Sequence, residues 1–188
     1  MSQEKTIAVL REELAALEED NRKLRRQIAE LSIDELTGLM RRRMFWQIVE
    51  EEILICKRNK KSFSILVIDI NGLKKVNDNY GHRAGDKLLV GFAGALKNSL
   101  RECDLIARTG GDEFMVFLPS DEGLDVDLAK KRLSLRLENI SKEIPYFSGA
   151  AIGSATYGDR EVTLEGLYEA ADKDMYTAKR AMKDLKGG

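Results

Sequence analysis

Acidic and glycine residues in the middle of the chain form two groups that could bind a metal ion and an anion. One is a turn, Gly110-Gly111-Asp112-Glu113, in which paired glycines let a ligand approach the backbone while two acids concentrate negative charge. The other is Asp69, at the end of an apolar run. Carboxylate oxygens suit Mg²⁺, and acids close together could hold metal ions. Turn chemistry and strand termination alone also favour these residue types, so both interpretations stay open at this point.

Short apolar runs and helical patterns must position these groups. FSILVIDI, residues 63–70, is rich in β-branched residues and predicts a central strand, while residues 104–119 predict a β-hairpin around the paired glycines. The remaining patterns predict a strand over 146–156 and helices over 41–59, 73–80, 84–100, 124–142 and 163–185. This βααββαβ order, with an outer helix at each end, favours an α+β fold with a central mostly antiparallel sheet and helices on one side of it.

The first 33 residues carry a heptad pattern. Apolar residues and one asparagine are spaced alternately by three and four, at Ile7, Leu10, Leu14, Leu17, Asn21, Leu24, Ile28 and Leu31. With Asn21 at an a position, every d position is leucine, and a single buried asparagine specifies a parallel dimer in one register. The alternative is an amphipathic helix folded back on its own domain, but such helices carry a wider apolar stripe. We therefore predict a coiled coil over 1–33 that forms a parallel homodimer and a globular domain over 34–186.

Composition limits the classes of partner. The 188 residues include 31 basic and 32 acidic side chains, so no overall charge directs the chain to nucleic acid or to a membrane. Two cysteines without metal-binding spacing indicate a reducing compartment. No apolar run approaches the roughly 20 residues that span a bilayer, and the N-terminus lacks a signal peptide. We expect a cytoplasmic protein with no nucleic-acid partner and no membrane segment in this chain.

Several motifs resemble one family. The turn at 110–114 reproduces the signature of the GGDEF diguanylate cyclases letter for letter, and DELTGL at 34–39 is similar to the motif that joins an upstream signalling helix to the catalytic domain. The stretch between 70 and 86 matches the family at Lys74, Asn77, Asp78, Gly81, His82, Gly85 and Asp86. The resemblance implies a fold like the palm of nucleotidyl cyclases and polymerases. It also implies that two GTP molecules are condensed into cyclic di-GMP and two pyrophosphates.

The resemblance also implies roles for individual residues. Mg²⁺, with Mn²⁺ as an alternative, would be bound by Asp69, the Ile70 carbonyl and Asp112. Asp112, Glu113 and Lys74 would act on the reacting phosphates, with Asp112 the preferred direct ligand of the pair of acids. The substrate would be bound by Gly72, Leu73, Asn77, Asp86, Gly110, Gly111, Lys179 and Lys183. Lys74 could also be an ordinary exposed lysine, and the two α-helical lysines could belong to a solvated face.

Guanine and product recognition follow from the same resemblance. An aspartate at 86 can accept hydrogen bonds from guanine N1 and its amino group, whereas adenine offers an acceptor at N1; an asparagine at 77 can donate and accept. Arg101 and Asp104 resemble the RxxD site that binds cyclic di-GMP as an inhibitor, although an exposed Arg/Asp pair alone is common in charged chains. His82 is expected to have a structural role, because no nucleophile stands beside it.

Three departures from the family pattern concern the site. Arg41 replaces a frequent asparagine, Asn71 replaces a frequent second aspartate, and Met182-Lys183 replaces Gly-Arg, so a point charge replaces bidentate arginine recognition. The competing interpretations are a cyclic di-GMP receptor without catalysis, a dimerisation unit, and a cyclase with an adenine-containing product. An upstream sensor domain is expected to have been removed from the chain, since nothing before residue 34 is large enough to sense a signal.

Overall fold

The computed structural model describes residues 13, 14, 17, 32–119, 126–157 and 163–184. The chain divides into two compact units, Met1–Ile33 and Asp34–Gly188. In the first unit Leu14 and Leu17 are helical and exposed, whereas the other predicted heptad positions lie outside the described residues. The parallel coiled coil therefore stays a prediction.

The second unit contains a five-stranded sheet. Its strands are β1 (Met40–Arg41), β2 (Phe63–Ile70), β3 (Leu105–Arg108), β4 (Glu113–Pro119) and β5 (Ala150–Tyr157). Their order across the sheet is β1-β3-β4-β2-β5. The β1–β3 pair is parallel and the other three pairs are antiparallel, which confirms the predicted α+β fold with a mostly antiparallel sheet. Strand β1 was not predicted, because two residues are too short to show alternation.

Five helices surround the sheet in this unit's described part: α1 (Arg42–Arg58), α2 (Leu73–Tyr80), α3 (His82–Ser99), α4 (Val126–Glu143) and α5 (Leu164–Asp184). Helix α3 begins two residues before its predicted start, and β5 begins four residues after its predicted start. The predicted start of α4 at 124 and the predicted end of α5 at 185 lie outside the described residues. None of the helices in the described segments combines the length and apolar composition needed to cross a lipid bilayer.

Helices cover both faces of the sheet, which corrects the prediction of helices on one side. One face, with Leu66 and Ile68 of β2, packs against α2, α3 and α4. The other face, with Ile65 and Val67, packs against α1 and α5. All eight residues of β2 are buried, as expected for a strand enclosed on both faces, whose sequence is a nearly continuous apolar run.

Helix α5 packs closely against the edge strand β5. A Cβ at Gly153 would overlap the backbone of Met175 and of Ala171, so the helix rests directly on the strand at that glycine. Directly beside this contact, Oδ2 of Asp174 accepts a hydrogen bond from the Ser154 N–H at 2.8 Å and another from Nζ of Lys130 at 3.0 Å. These contacts fix α5 relative to the central strands, which positions its last turns beside the end of β2.

Candidate active site

The register of β2 and β4 brings two predicted site residues together. Asp69 is paired directly with Glu113, and the N–H of Ile70 donates to the carbonyl of Asp112 at 2.9 Å. Directly opposed residues have Cβ atoms about 4.5–5.5 Å apart and point to one face of the sheet. Asp69 is buried whereas Glu113 is exposed. The two carboxylates therefore extend from the interior to the surface on the face of the sheet that α5 covers.

Lys179 lies against this acidic pair. Its Nζ is 2.7 Å from Oδ2 of Asp69, and the two side chains are 29% and 10% exposed. The other carboxylate oxygen, Oδ1, is buried and has no hydrogen-bond partner among the described residues. The site therefore holds an oxygen that still requires a donor or a cation.

The donor set fits a magnesium ion that is completed by substrate. The described residues contain no cluster of three or more histidine, cysteine, aspartate or glutamate side chains able to hold a metal. Mg²⁺ is commonly bound through one or two carboxylates together with substrate phosphates. The unpartnered Oδ1 of Asp69, the opposed Glu113 and the adjacent Ile70 carbonyl agree with that pattern.

The two glycines of the hairpin turn have different surroundings. The carbonyl of Glu113 accepts hydrogen bonds from Thr109 N–H at 2.9 Å and from Gly110 N–H at 3.3 Å. A Cβ at Gly110 would lie 2.7 Å from Oε2 of Glu113, so this glycine makes room for the neighbouring acid. A Cβ at Gly111 would have nothing described within 4 Å, so that position is open to a ligand.

The loop after β2 turns sharply into α2. Gly72 adopts a left-handed conformation with φ of 75°, which favours glycine, and it is the N-cap of α2. Asn71 secures the loop from both sides, because its N–H donates to Gly149 at 2.9 Å and its carbonyl accepts from Ser148 Oγ at 2.7 Å. Leu73 is buried and Lys74 is exposed. The first turn of α2, whose N–H groups have no acceptor within the helix, and the exposed residue Lys74 thus follow directly after the Asp69 end of β2.

Asn77 and Asp86 lie on the two helices that follow. A Cβ at Gly85 would overlap Oδ1 of Asn77, so the amide packs over this glycine, next to Asp86 in the chain. Asn77 is half-buried and Asp86 is exposed. Asn77 therefore lies at the junction where α2 packs on α3, and the contact point on α3 is one residue before Asp86.

Two tyrosines near the junction of α2 and α3 were not predicted as site residues. Tyr80 and Tyr146 stack with ring centroids 5.2 Å apart, and the Tyr146 hydroxyl donates to the Ala84 carbonyl at 3.4 Å. His82, which was expected to be structural, is the exposed first residue of α3. Nothing in the sequence indicates that Tyr146 lies beside α3, because this placement depends on a contact between residues 62 positions apart in the chain.

The RxxD segment lies at the opposite end of β3 from the hairpin turn. Asp104 is buried, and its Oδ2 accepts the Arg101 N–H at 2.7 Å, while the Arg101 side chain is exposed. Burial raises the pKa of Asp104 above its ordinary value, and the hydrogen bond from Arg101 N–H opposes that shift. Asp104 therefore shapes the turn that presents Arg101.

Arg108 connects the DELTGL turn with the hairpin and was missed in the sequence. Its Nη1 is 3.2 Å from Oδ2 of Asp34, and its Nη2 donates to the Gly111 carbonyl at 2.8 Å. Oδ2 of Asp34 also accepts hydrogen bonds from the N–H and hydroxyl of Thr37 at 3.0 and 2.6 Å. Burial raises the pKa of Asp34, but the hydrogen bonds from Thr37 and Arg108 outweigh it and hold that pKa below its ordinary value.

One predicted substrate residue is not placed. The Lys183 side chain lies outside the described part of α5, so its role stays a prediction.

Lys97 adds a contact that was not predicted: its Nζ donates to the carbonyls of Thr37 and Gly38 at 3.4 and 3.3 Å. The DELTGL turn is therefore held by cations from α3 and β3.

Comparison with known proteins agrees with these motifs. The family profile described as "Diguanylate cyclase, GGDEF domain" matches residues 31–185. Diguanylate cyclase DgcP of Pseudomonas aeruginosa is 37% identical over 158 residues, which cover 80% of this chain and 23% of that protein. Diguanylate cyclase DgcS of Shewanella oneidensis is 33% identical over 146 residues, covering 78% of this chain and 49% of that protein. The chain thus spans between about a quarter and a half of these relatives' length.

Solved structures share the fold. The GGDEF domain of TpbB from Pseudomonas aeruginosa superposes with a TM-score of 0.70 at 32% identity, covering 79% of this chain and 89% of that one. The coiled coil and GGDEF domain of DgcB from Caulobacter crescentus, solved with c-di-GMP, has a TM-score of 0.76 at 22% identity and covers 96% of both chains; this likeness concerns the fold alone. Since the family profile matches most of its length, the chain belongs to the GGDEF family of diguanylate cyclases.

Proposed function

We propose that this chain catalyses the condensation of two GTP molecules into cyclic di-GMP with release of two pyrophosphates. The observation that carries the proposal is the β2–β4 register, which sets Asp69 opposite Glu113 with Asp112 in the adjoining turn. The loop at Gly72 and the Lys179 ammonium lie at the same end of β2. Carboxylates for a metal and donors for phosphate thus occupy neighbouring positions.

The metal proposed at this site is Mg²⁺. Asp69, Glu113 and the Ile70 carbonyl would hold it, and Asp112 remains the ligand that the family resemblance favours. When bound, Mg²⁺ would supply charge neutralisation at the triphosphate and polarise the phosphate under attack. The backbone N–H groups after Gly72, with Lys74 and Lys179, would orient the phosphate oxygens, since helix N-termini and ammonium groups both attract anions.

Guanine would bind at the junction of α2 and α3. Asp86 would accept hydrogen bonds from guanine N1 and the amino group, and the Asn77 amide would add a donor and an acceptor. Adenine offers an acceptor at N1 and would leave the Asp86 carboxylate facing a lone pair, which is costly when water is excluded. The proposed substrate is therefore GTP rather than ATP.

Catalysis would require two copies of the domain, because each 3′-hydroxyl attacks the α-phosphate held by the other. The predicted coiled coil over 1–33 would raise the effective concentration of one domain near its partner. Deleting residues 1–31 should lower activity per chain at dilute protein and restore it as the protein concentration rises. Equal specific activity with and without the deletion at all concentrations would remove the coiled coil from the mechanism.

Product binding is a second proposal, centred on the exposed Arg101 side chain. Asp104 holds the turn that presents the guanidinium, which can stack on guanine and form paired hydrogen bonds with phosphate. A microbial GGDEF domain described as interacting with cyclic di-GMP is 30% identical to this chain, with a TM-score of 0.69 and coverage of 81% of this chain and 92% of that one. Cyclic di-GMP bound here would inhibit the enzyme.

The test is incubation of the purified chain with GTP and Mg²⁺, followed by chromatographic separation of nucleotides. The parent should form cyclic di-GMP and Asp112→Ala should not. Glu51→Ala, which removes an exposed acid on α1, should behave as the parent. Absence of product from the parent, together with cyclic di-GMP binding that Arg101→Ala abolishes, would instead identify a receptor.

A further inference from the structure

The ion pair between Lys179 and Asp69 involves the carboxylate that metal binding requires. Nζ of Lys179 is 2.7 Å from Oδ2, and the Asp69 side chain is only 10% exposed. Because Oδ1 has no hydrogen-bond partner among the described residues, the ammonium is the main compensation for this buried negative charge.

A divalent cation on Asp69 would meet the ammonium on the same carboxylate. If the metal takes Oδ2, it displaces Lys179 directly; if it takes Oδ1, two cations share one small group. Charges this close and partly buried are weakly screened by salt, so their repulsion opposes metal binding in either arrangement.

We propose that Lys179 competes with the metal for Asp69 and that an anionic phosphate relieves this competition by attracting the ammonium. The identity of the anion as a nucleoside triphosphate rests on the proposed function, whereas the competition between the two cations does not. Metal and nucleotide therefore bind cooperatively, with the metal alone bound weakly.

The surroundings of Lys179 let its side chain move while the helix stays in place. One and two turns earlier on α5, Met175 and Ala171 rest against Gly153 of β5, in a contact too close for even a Cβ. The four-carbon lysine stem rotates freely at its partly exposed end. The exchange is thus a change of side-chain rotamer and needs no movement of α5.

The experiment measures Mn²⁺ binding to the full chain without nucleotide, through the electron paramagnetic resonance signal of free Mn²⁺. Lys179→Met should bind Mn²⁺ roughly tenfold more tightly than the parent, within the usual range for coupled sites. Lys173→Met is the matched control, because it removes an exposed lysine from the same helix, six residues before Lys179; its affinity should equal the parent's. Lys179→Arg should also remain near the parent, since it keeps the competing charge.

Adding a non-hydrolysable GTP analogue should reverse the order of Mn²⁺ affinities of the parent and Lys179→Met. The parent should then retain the analogue and Mn²⁺ more tightly than Lys179→Met, because the lysine contributes to phosphate binding. The proposal is overturned if, without nucleotide, Lys179→Met binds Mn²⁺ no more tightly than the parent. It is also overturned if neither the parent nor Lys179→Met binds Mn²⁺ detectably. Failure of cyclic di-GMP synthesis is read in the separate product assay and leaves the Mn²⁺ comparison interpretable.

Discussion

Asp112 and Glu113 are neighbours in the chain but occupy different positions. Glu113 begins β4 and is paired with Asp69, whereas Asp112 belongs to the turn and contributes its backbone carbonyl to the Ile70 N–H. Since opposed residues share one face of a sheet, the register favours Glu113 as the second metal ligand. The family resemblance favours Asp112, and the two assignments predict different outcomes.

Removing one carboxylate at a time distinguishes the two assignments. We expect Glu113→Gln to weaken Mn²⁺ binding at least about tenfold, as loss of a group around a metal usually does. Asp112→Asn should weaken it less while still lowering the rate of product formation. Calorimetric titration with Mn²⁺ measures the first effect, and single-turnover kinetics measures the second. The opposite ranking of the two variants in metal affinity would assign the ligand to Asp112.

At the scale of elements, the position of α5 on β5 decides where Lys179 lies. The helix touches the strand at Gly153, and Asp174 accepts the Ser154 N–H of the sheet edge. An edge strand otherwise exposes such N–H groups, so this contact also protects the edge from pairing with other chains.

Adding a methyl group at this contact should separate the two elements. We expect Gly153→Ala to lower the free energy of unfolding by about 1–3 kcal/mol, as overpacking does, because the new Cβ overlaps the backbone of Met175 and Ala171. Gly94→Ala is the matched control: it lies inside α3, where a Cβ would meet nothing described within 4 Å. That change should stabilise by up to about 1 kcal/mol through helix propensity. Urea denaturation measures both, and equal effects would refute the close contact.

A second junction between elements is made by Arg108. Through its guanidinium, β3 is linked to Asp34 in the DELTGL turn and to Gly111 in the hairpin. Planar guanidinium groups can bond two acceptors at once, which a lysine at this position would do less well. Arg108 therefore links the turn at Asp34 directly to the hairpin turn that carries Asp112.

At the scale of the whole molecule, acid stability depends on carboxylates that hold different elements together. Burial raises the pKa of Asp174, but hydrogen bonds from Ser154 and Lys130 outweigh it, so that pKa is lowered, as is the pKa of Asp34. A lowered pKa contributes stability above the ordinary value of 3.8, which is lost as pH falls through the lowered pKa. Asp104 has the opposite sign, because its raised pKa makes its contribution fall as pH rises.

The stability of variants against pH tests these signs. We expect Asp34→Asn and Asp174→Asn each to lose less stability than the parent as pH falls below about 4, by at most ~1 kcal/mol, since both groups are partly exposed. Asp104→Asn should instead lose less stability than the parent as pH rises above about 4. Unfolding free energies from urea denaturation between pH 3 and 7 give the curves. If the unfolding free energies of the parent and of the Asp34 and Asp174 variants change equally with pH, the lowered pKa values of these two carboxyl groups are contradicted.

Local patterns in the sequence were enough to predict the family, the order of the elements other than β1, and several bounds. The strand at Phe63–Ile70 and the helix at Leu73–Tyr80 agree with their predicted ranges. The GGDEF turn lies between two antiparallel strands as predicted. Alternation, helical periodicity and turn chemistry act between residues close in the chain, so they can be read without a structure.

The tertiary structure decided what depends on distant residues. It showed helices on both faces of the sheet, the pairing of β1 with β3, and the register that opposes Asp69 to Glu113. Arg108 meets Asp34 across 74 residues, and Lys179 reaches Asp69 from the last helix. These contacts follow from how whole elements pack, and neither the spacing nor the type of the residues involved encodes them locally. The sequence alone therefore identified many of the residues that could form the site, whereas packing added Arg108 and determined which of the candidates meet.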